Sequence, residues 1–91
     1  MFFEWDEGKN EANIAKHGIF FEEAKGIWDD PERITGPGQV TGFETRWLSV
    51  GKIRGKIITV CWTQRLEKVR IISARPARPE EREVYGEEKD N

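Results

Sequence analysis

This 91-residue chain has one cysteine, one histidine, one methionine and one tyrosine. A lone Cys61 cannot close an internal disulfide, and inside an apolar, strand-like run it reads as a buried structural thiol rather than a nucleophile. One His, one Cys and scattered carboxylates lack the spacing of a metal centre. A single imidazole leaves no serine-based triad to look for. No phosphate loop is present, since Gly36-Pro37-Gly38 stands in the wrong context. No apolar run nears the length of a membrane span, and no charged-then-apolar leader opens the chain, so a soluble, cytoplasmic protein is expected. Internal repeats and a second domain boundary are missing too.

What is present is aromatic weight and segregated charge. Four Trp and five Phe among 36% apolar residues suffice to anchor one small core, and 91 residues are too few for two. A single domain over residues 1–86 is expected, with a frayed acidic tail from Glu87 to Asn91. The net charge of −2 conceals three blocks: residues 1–43 hold four basic and nine acidic side chains, residues 44–78 nine and two, residues 79–91 two and six. A +7 block in an acidic protein is the footprint expected for a phosphate-rich or acidic partner. The alternative is that these cations only keep sheet edges soluble.

The opening stretch organises the rest. Phe2, Phe3 and Trp5 form a strand-like piece, Asp6 is a natural N-cap, and Gly18 is a natural stop after His17. The helix between them is oddly filled. Gly8, Asn10 and Asn13 are poor helix formers, and Lys9 sets a cation in the first turn. Lys9, Asn13 and Lys16 recur as one polar ridge with His17 beside its end. Gly8, Ala12, Ala15 and Ile19 form a small-residue face expected to sit on a sheet. That ridge is either a functional surface or a wet helix face.

A second, short amphipathic helix is predicted over about Phe21 to Trp28, burying Ala24, Ile27, Trp28 and Phe20 or Phe21. Asp29-Asp30-Pro31 ends it. Pro31 to Gly42 reads as a flexible connection with one short strand at Arg33 to Thr35. Glu44 to Val50 alternates as a strand, and Gly51 to Gly55 reads as a turn. Lys56 to Gln64, apolar on both faces, is predicted to be the central strand. Arg65 to Lys68 makes a hairpin, Val69 to Arg75 returns antiparallel, and Pro79 opens a last short helix through Tyr85. The fold class is α+β: a small antiparallel sheet with two N-terminal helices packed on one face and a short C-terminal helix.

The run Trp5-Asp6, Lys9, Asn13, Lys16-His17-Gly18 and Phe21-Glu22-Glu23-Ala24 resembles the opening of the BrnT family, toxins of bacterial type II toxin–antitoxin pairs. Asp30-Pro31, Glu44-Thr45-Arg46, Val50-Gly51, Arg70-Ile71-Ile72-Ser73-Ala74-Arg75 and Tyr85 extend the resemblance, in order, over nearly the whole chain. It implies a RelE-like ribonuclease that inhibits translation and needs no cofactor. It also implies a BrnA-like ribbon-helix-helix antitoxin that silences it, with DNA contacted only through that partner. Carried onto matching positions, it nominates Lys9, His17, Arg46 and Arg75 as catalytic; Lys16, Arg70 and Arg78 are the candidate RNA-binding cations beside them. Glu44 and Tyr85 are further candidates. The chain departs from the pattern at Arg75-Pro76-Ala77 and in its acidic last helix, which puts catalytic strength in question.

The residues themselves fit metal-free RNA cleavage. That reaction deprotonates the RNA's own 2′-hydroxyl, stabilises the phosphorane's charge and protonates the leaving oxygen. Arginine suits it because its fork matches two phosphate oxygens. Strict alternation puts Arg70 and Arg75 on opposite faces, which favours Arg75, at the strand's exit, for the site. Arg70 then reads as a packed stem or a partner of Glu44. Tyr85 is either a proton donor or the apolar anchor of the last helix. An inactive homologue that serves as the antitoxin's binding partner is the competing reading. A free-standing nucleic-acid binder is disfavoured, because the usual DNA-reading helix motif is missing.

Overall fold

Asp6 and Gly18 bound the first helix as their chemistry requires. In the computed structural model, which describes residues 1–86, the strand β1 (Phe2–Trp5) leads into α1 (Glu7–His17). The Asp6 carboxylate accepts from the Lys9 N–H at 2.9 Å, and Gly18, at φ 72°, donates its N–H to Ile14. The second helix is shorter than its pattern. α2 (Phe21–Ala24) tightens into a 3-10 turn over Lys25–Asp29, which together bury Phe21, Ala24 and Ile27 completely. Phe20 stays largely exposed, so Phe21 is the residue this helix buries.

Four further strands and a last helix follow: β2 (Ile34–Thr41), β3 (Glu44–Ile53), β4 (Lys56–Arg65), β5 (Lys68–Pro76) and α3 (Pro79–Tyr85). The sheet order is β1-β5-β4-β3-β2, so β4 is central as its doubly apolar pattern predicts. All ladders are antiparallel except β1 against β5. The fold is α+β. The acidic tail expected from Glu87 to Asn91 lies outside the described residues.

Two local readings are corrected. Most of the expected connection from Pro31 to Gly42 is strand: the free edge of β3 recruits Ile34–Thr41 as β2, and an irregularity between Pro37 and Val40 interrupts the pairing. Gly51 does not open a turn either. It pairs with Ile58 inside β3, and a Cβ there would lie 2.7 Å from the Ile27 Cβ. The 3-10 turn seats on the sheet at that point, and only glycine leaves room.

One face of the sheet is covered. Ile58, Val60, Val69, Ile71 and Ala74 pack with Phe21, Ala24 and Ile27, and Phe3, Trp5, Trp28 and Trp62 flank them. Trp62 meets Trp28 edge-on at 5.7 Å and donates its indole N–H to the Ser49 hydroxyl at 2.8 Å. Helix α1 does not lie on this face by its small residues; Gly8, Ala12 and Ala15 point to solvent. Its inward side is Asn10 and Asn13, and the reason is hydrogen bonding. β1 pairs with β5 only as far as Ile71, so the Ala74 N–H beyond it has no strand partner, and the Asn13 carbonyl accepts it at 3.0 Å. The Asn13 amide donates to the Ile19 carbonyl at 2.9 Å, and the Asn10 carbonyl accepts from the Phe21 N–H at 2.9 Å. The asparagines that break the helix rules are structural clamps.

Candidate functional site

The second face of the sheet carries the polar chemistry. Alternation along β4 sends Ile58, Val60 and Trp62 into the core and Thr59, Cys61 and Thr63 to the other side. Arg46 on β3 and Arg70 on β5 both pair with Thr63, and Glu4 on β1 pairs with Arg70, so one row crosses four strands. Leu48, Cys61 and Ser73 form the next row, and Val50, Thr59 and Arg75 the third.

Arg75 shares this face with Arg70, against the expectation from alternation. The β4–β5 register shifts between Cys61 and Trp62, where Ile72 is an extra residue in β5. A bulge inverts side-chain parity beyond itself, so two arginines five apart end up on one side. Their partners, Thr63 and Thr59, are four residues apart on β4. That separates the outer rows by roughly 13 Å at about 3.3 Å per residue.

Cys61 lies at the centre, half-buried. Desolvation raises its thiol pKa, opposed by the fields of Arg46, Arg75 and Lys9 and reinforced by Glu44. Burial thus disfavours the nucleophilic thiolate form. The charge of Lys9, in the first turn of α1, also acts on that thiol. Two of the sequence-derived candidates, Arg46 and Arg75, stand on this face in its outer rows, on either side of Cys61.

Each arginine of the face is held by a carboxylate. The Arg46 Nε donates to Glu44 at 2.9 Å. Arg70 lies 3.4 Å from Glu4, which Arg65 also approaches at 4.0 Å, so the partner expected in Glu44 is Glu4. Arg75 makes a forked pair with Glu81 of α3, at 2.7 and 2.9 Å. Bonded by Arg75, and against the pull of partial burial, Glu81 is held down to a pKa of about 2, with the Arg78 N–H and Thr59 hydroxyl assisting. The same pair raises the Arg75 pKa. Lys9 is exposed and has no carboxylate partner among the described residues.

The other candidates lie apart. His17 is half-buried in a cleft of about 400 Å³, whose wall also includes Pro76, Ala77, Lys56 and Arg82. It touches the corner just after Arg75 rather than the patch around Cys61. Lys16 is exposed on the last turn of α1, and Arg78 is exposed ahead of α3. The Tyr85 hydroxyl donates to the Asp30 carboxylate at 2.5 Å, at the opposite end of α3 from Glu81. Desolvation pushes the Asp30 pKa up, but bonds from Tyr85 and from the Glu32 and Lys52 N–H groups prevail and lower it. Among the described residues, no group of three or more His, Cys, Asp and Glu side chains is placed to hold a metal ion. No described helix is long and apolar enough to cross a membrane.

Thr59 and Glu81 were not nominated from sequence. Glu81 had a signal, standing three residues after the position before Pro79, where a carboxylate reaches back to cap a helix. It does so, accepting from the Arg78 N–H at 2.8 Å. Thr59 had none, since its neighbour Arg75 is distant in the chain.

Compared with known families, residues 5–81 match a family model described as the ribonuclease toxin BrnT of a type II toxin–antitoxin system. No individually curated protein matches the chain.

Proposed function

This chain belongs to the BrnT family of ribonuclease toxins of type II toxin–antitoxin systems, and from that premise we propose that the Cys61-centred sheet face binds and cleaves RNA without a metal ion. The supporting observation is that Arg46, Arg70 and Arg75 stand on that face, Arg75 by way of the Ile72 bulge, and that the charge of Lys9 acts on Cys61 at its centre. Lys9 and Arg46 stabilise the charge of the phosphorane, and Arg75 grips non-bridging oxygens through its fork. Arg70, Arg78 and Lys16 extend the track for flanking phosphates. His17 shuttles the proton from its cleft beside Pro76. Tyr85, bonded to Asp30, anchors α3.

The biological reading follows from the same premise. A BrnA-like ribbon-helix-helix antitoxin silences the protein, and DNA is contacted through that partner alone. Expression of the chain by itself arrests bacterial translation and growth, and co-expression of the antitoxin restores it. Purified protein should cut RNA in the presence of EDTA and leave a cyclic phosphate end. Activity lost on chelation and recovered with magnesium would overturn the metal-independent step. Lys9→Ala should lower cleavage by about ten- to a thousand-fold, the scale of losing one transition-state charge partner.

A further inference from the structure

The Glu81 carboxylate is engaged on all sides. One oxygen accepts from Arg75 Nη1 at 2.7 Å, the Thr59 hydroxyl at 2.8 Å and the Arg78 N–H at 2.8 Å, and the other accepts from Arg75 Nη2 at 2.9 Å. Two of these donor groups belong to the sheet. Arg75 and Thr59 are register partners on adjacent strands, so the ladder holds them in place whether or not α3 is present. A forked guanidinium beside a hydroxyl, turned toward two oxygens of one anion, is also the donor set that grips a phosphodiester.

We propose that Glu81 occupies an anion seat formed by Arg75 and Thr59, so that α3 is a built-in stopper that an RNA phosphodiester must displace. The inference rests on the RNA-binding reading of this face and adds its regulation. The helix is suited to leaving. It has seven residues, none of them buried, and Val84 faces solvent. Polar latches hold it, among them Glu81 at its start and the Tyr85–Asp30 hydrogen bond at its end. Its first turn brings Glu80 and Glu81 to a sheet whose own strands are basic, so the chain supplies its own competing anion. With the seat filled, Arg75 is only 22% exposed and Glu81 18%. Thr59 is 1% exposed, and its hydroxyl reaches a ligand only when α3 moves.

Glu81→Gln keeps the side chain's shape and its ability to accept from Thr59 and Arg78, but removes the charge that competes for Arg75. Binding of a 2′-O-methyl oligoribonucleotide, which cannot be cut by this route, is measured by fluorescence anisotropy at fixed ionic strength, in parallel with cleavage of unmodified RNA. Glu81→Gln should bind about tenfold more tightly than the unaltered chain, the scale of one charge-assisted hydrogen bond lost on the competing side. Adding Arg75→Ala should abolish that gain. Tighter binding with no cleavage by either protein keeps the stopper and rejects the ribonuclease reading. Unchanged or weaker binding by a folded Glu81→Gln protein overturns the stopper, and Glu81 then only positions Arg75. If Glu81→Gln does not fold, Tyr85→Phe loosens the far latch without touching Arg75 and must shift binding the same way. Binding unchanged or weakened in Tyr85→Phe refutes the proposal.

Discussion

Asn13→Ala tests whether the irregular interior of α1 is structural. By helix propensity the change should help, by up to about 0.7 kcal/mol. The structure predicts the opposite. Asn13 is 7% exposed and makes two hydrogen bonds, to the Ile19 carbonyl at 2.9 Å and from the Ala74 N–H at 3.0 Å. Alanine leaves both backbone groups without a partner, beside an Ala74 that is fully buried. Each orphaned buried group costs about 1–3 kcal/mol. Water reaching the Ile19 end softens one of the two, so with the propensity gain the net loss is about 2–3 kcal/mol. A chain of this size has about 5–13 kcal/mol in total, so the variant folds but melts at least about 8 °C lower. Urea unfolding followed by tryptophan fluorescence is the assay, and an unchanged slope confirms a pure stability effect. Asn13→Asp keeps the acceptor for Ala74 but sets a carboxylate against the Ile19 carbonyl, so it should be destabilised comparably. A change below about 0.5 kcal/mol, or a gain, would refute the clamp and return Asn13 to the solvent ridge.

Three further outcomes are expected. Gly51→Ala drives a Cβ to 2.7 Å from Ile27 and should cost about 1–3 kcal/mol by overpacking, measured in the same urea assay; a neutral result means the 3-10 turn yields freely. Glu81 is depressed in the folded state, so its contribution is complete above pH 4.5 and fades as pH falls toward about 2; acid titration should show that loss, and Glu81→Gln should flatten it. Trp62→Ala removes a half-buried ring that joins Trp28, Trp47 and Ser49, and should cost roughly 3–5 kcal/mol in calorimetry, a larger loss than any change at exposed Lys9.

The arginine assignments show where sequence reasoning and packing part company. Arg75 was nominated for the site alone, and its forked pair with Glu81 makes Arg75→Ala destabilising as well. Arg70 reads from sequence as a packed stem or a partner of Glu44, but Glu44 stands on β3, two strands away from β5. The parallel β1 ladder brings Glu4 there instead. The family pattern nominated Arg46 and Arg75, and the fold sets both on the polar face of the sheet. It places His17 in the adjoining cleft.

Local chemistry determined what the sequence shows by itself. Asp6 and Gly18 bound a helix because their own side chain and backbone satisfy its ends. Lys56 to Gln64 is central because it is apolar on both faces, and the basic block stands where the strands stand. The tertiary structure alone decided the rest. Asn10 and Asn13 turn inward because α2 and β5 present unpaired backbone groups to them. Ile34–Thr41 becomes a strand because β3 has a free edge. Arg70 and Arg75 share a face because one residue, Ile72, is extra in the ladder. Each of these outcomes depends on a partner far along the chain, and neither propensity nor alternation carries information about such a partner.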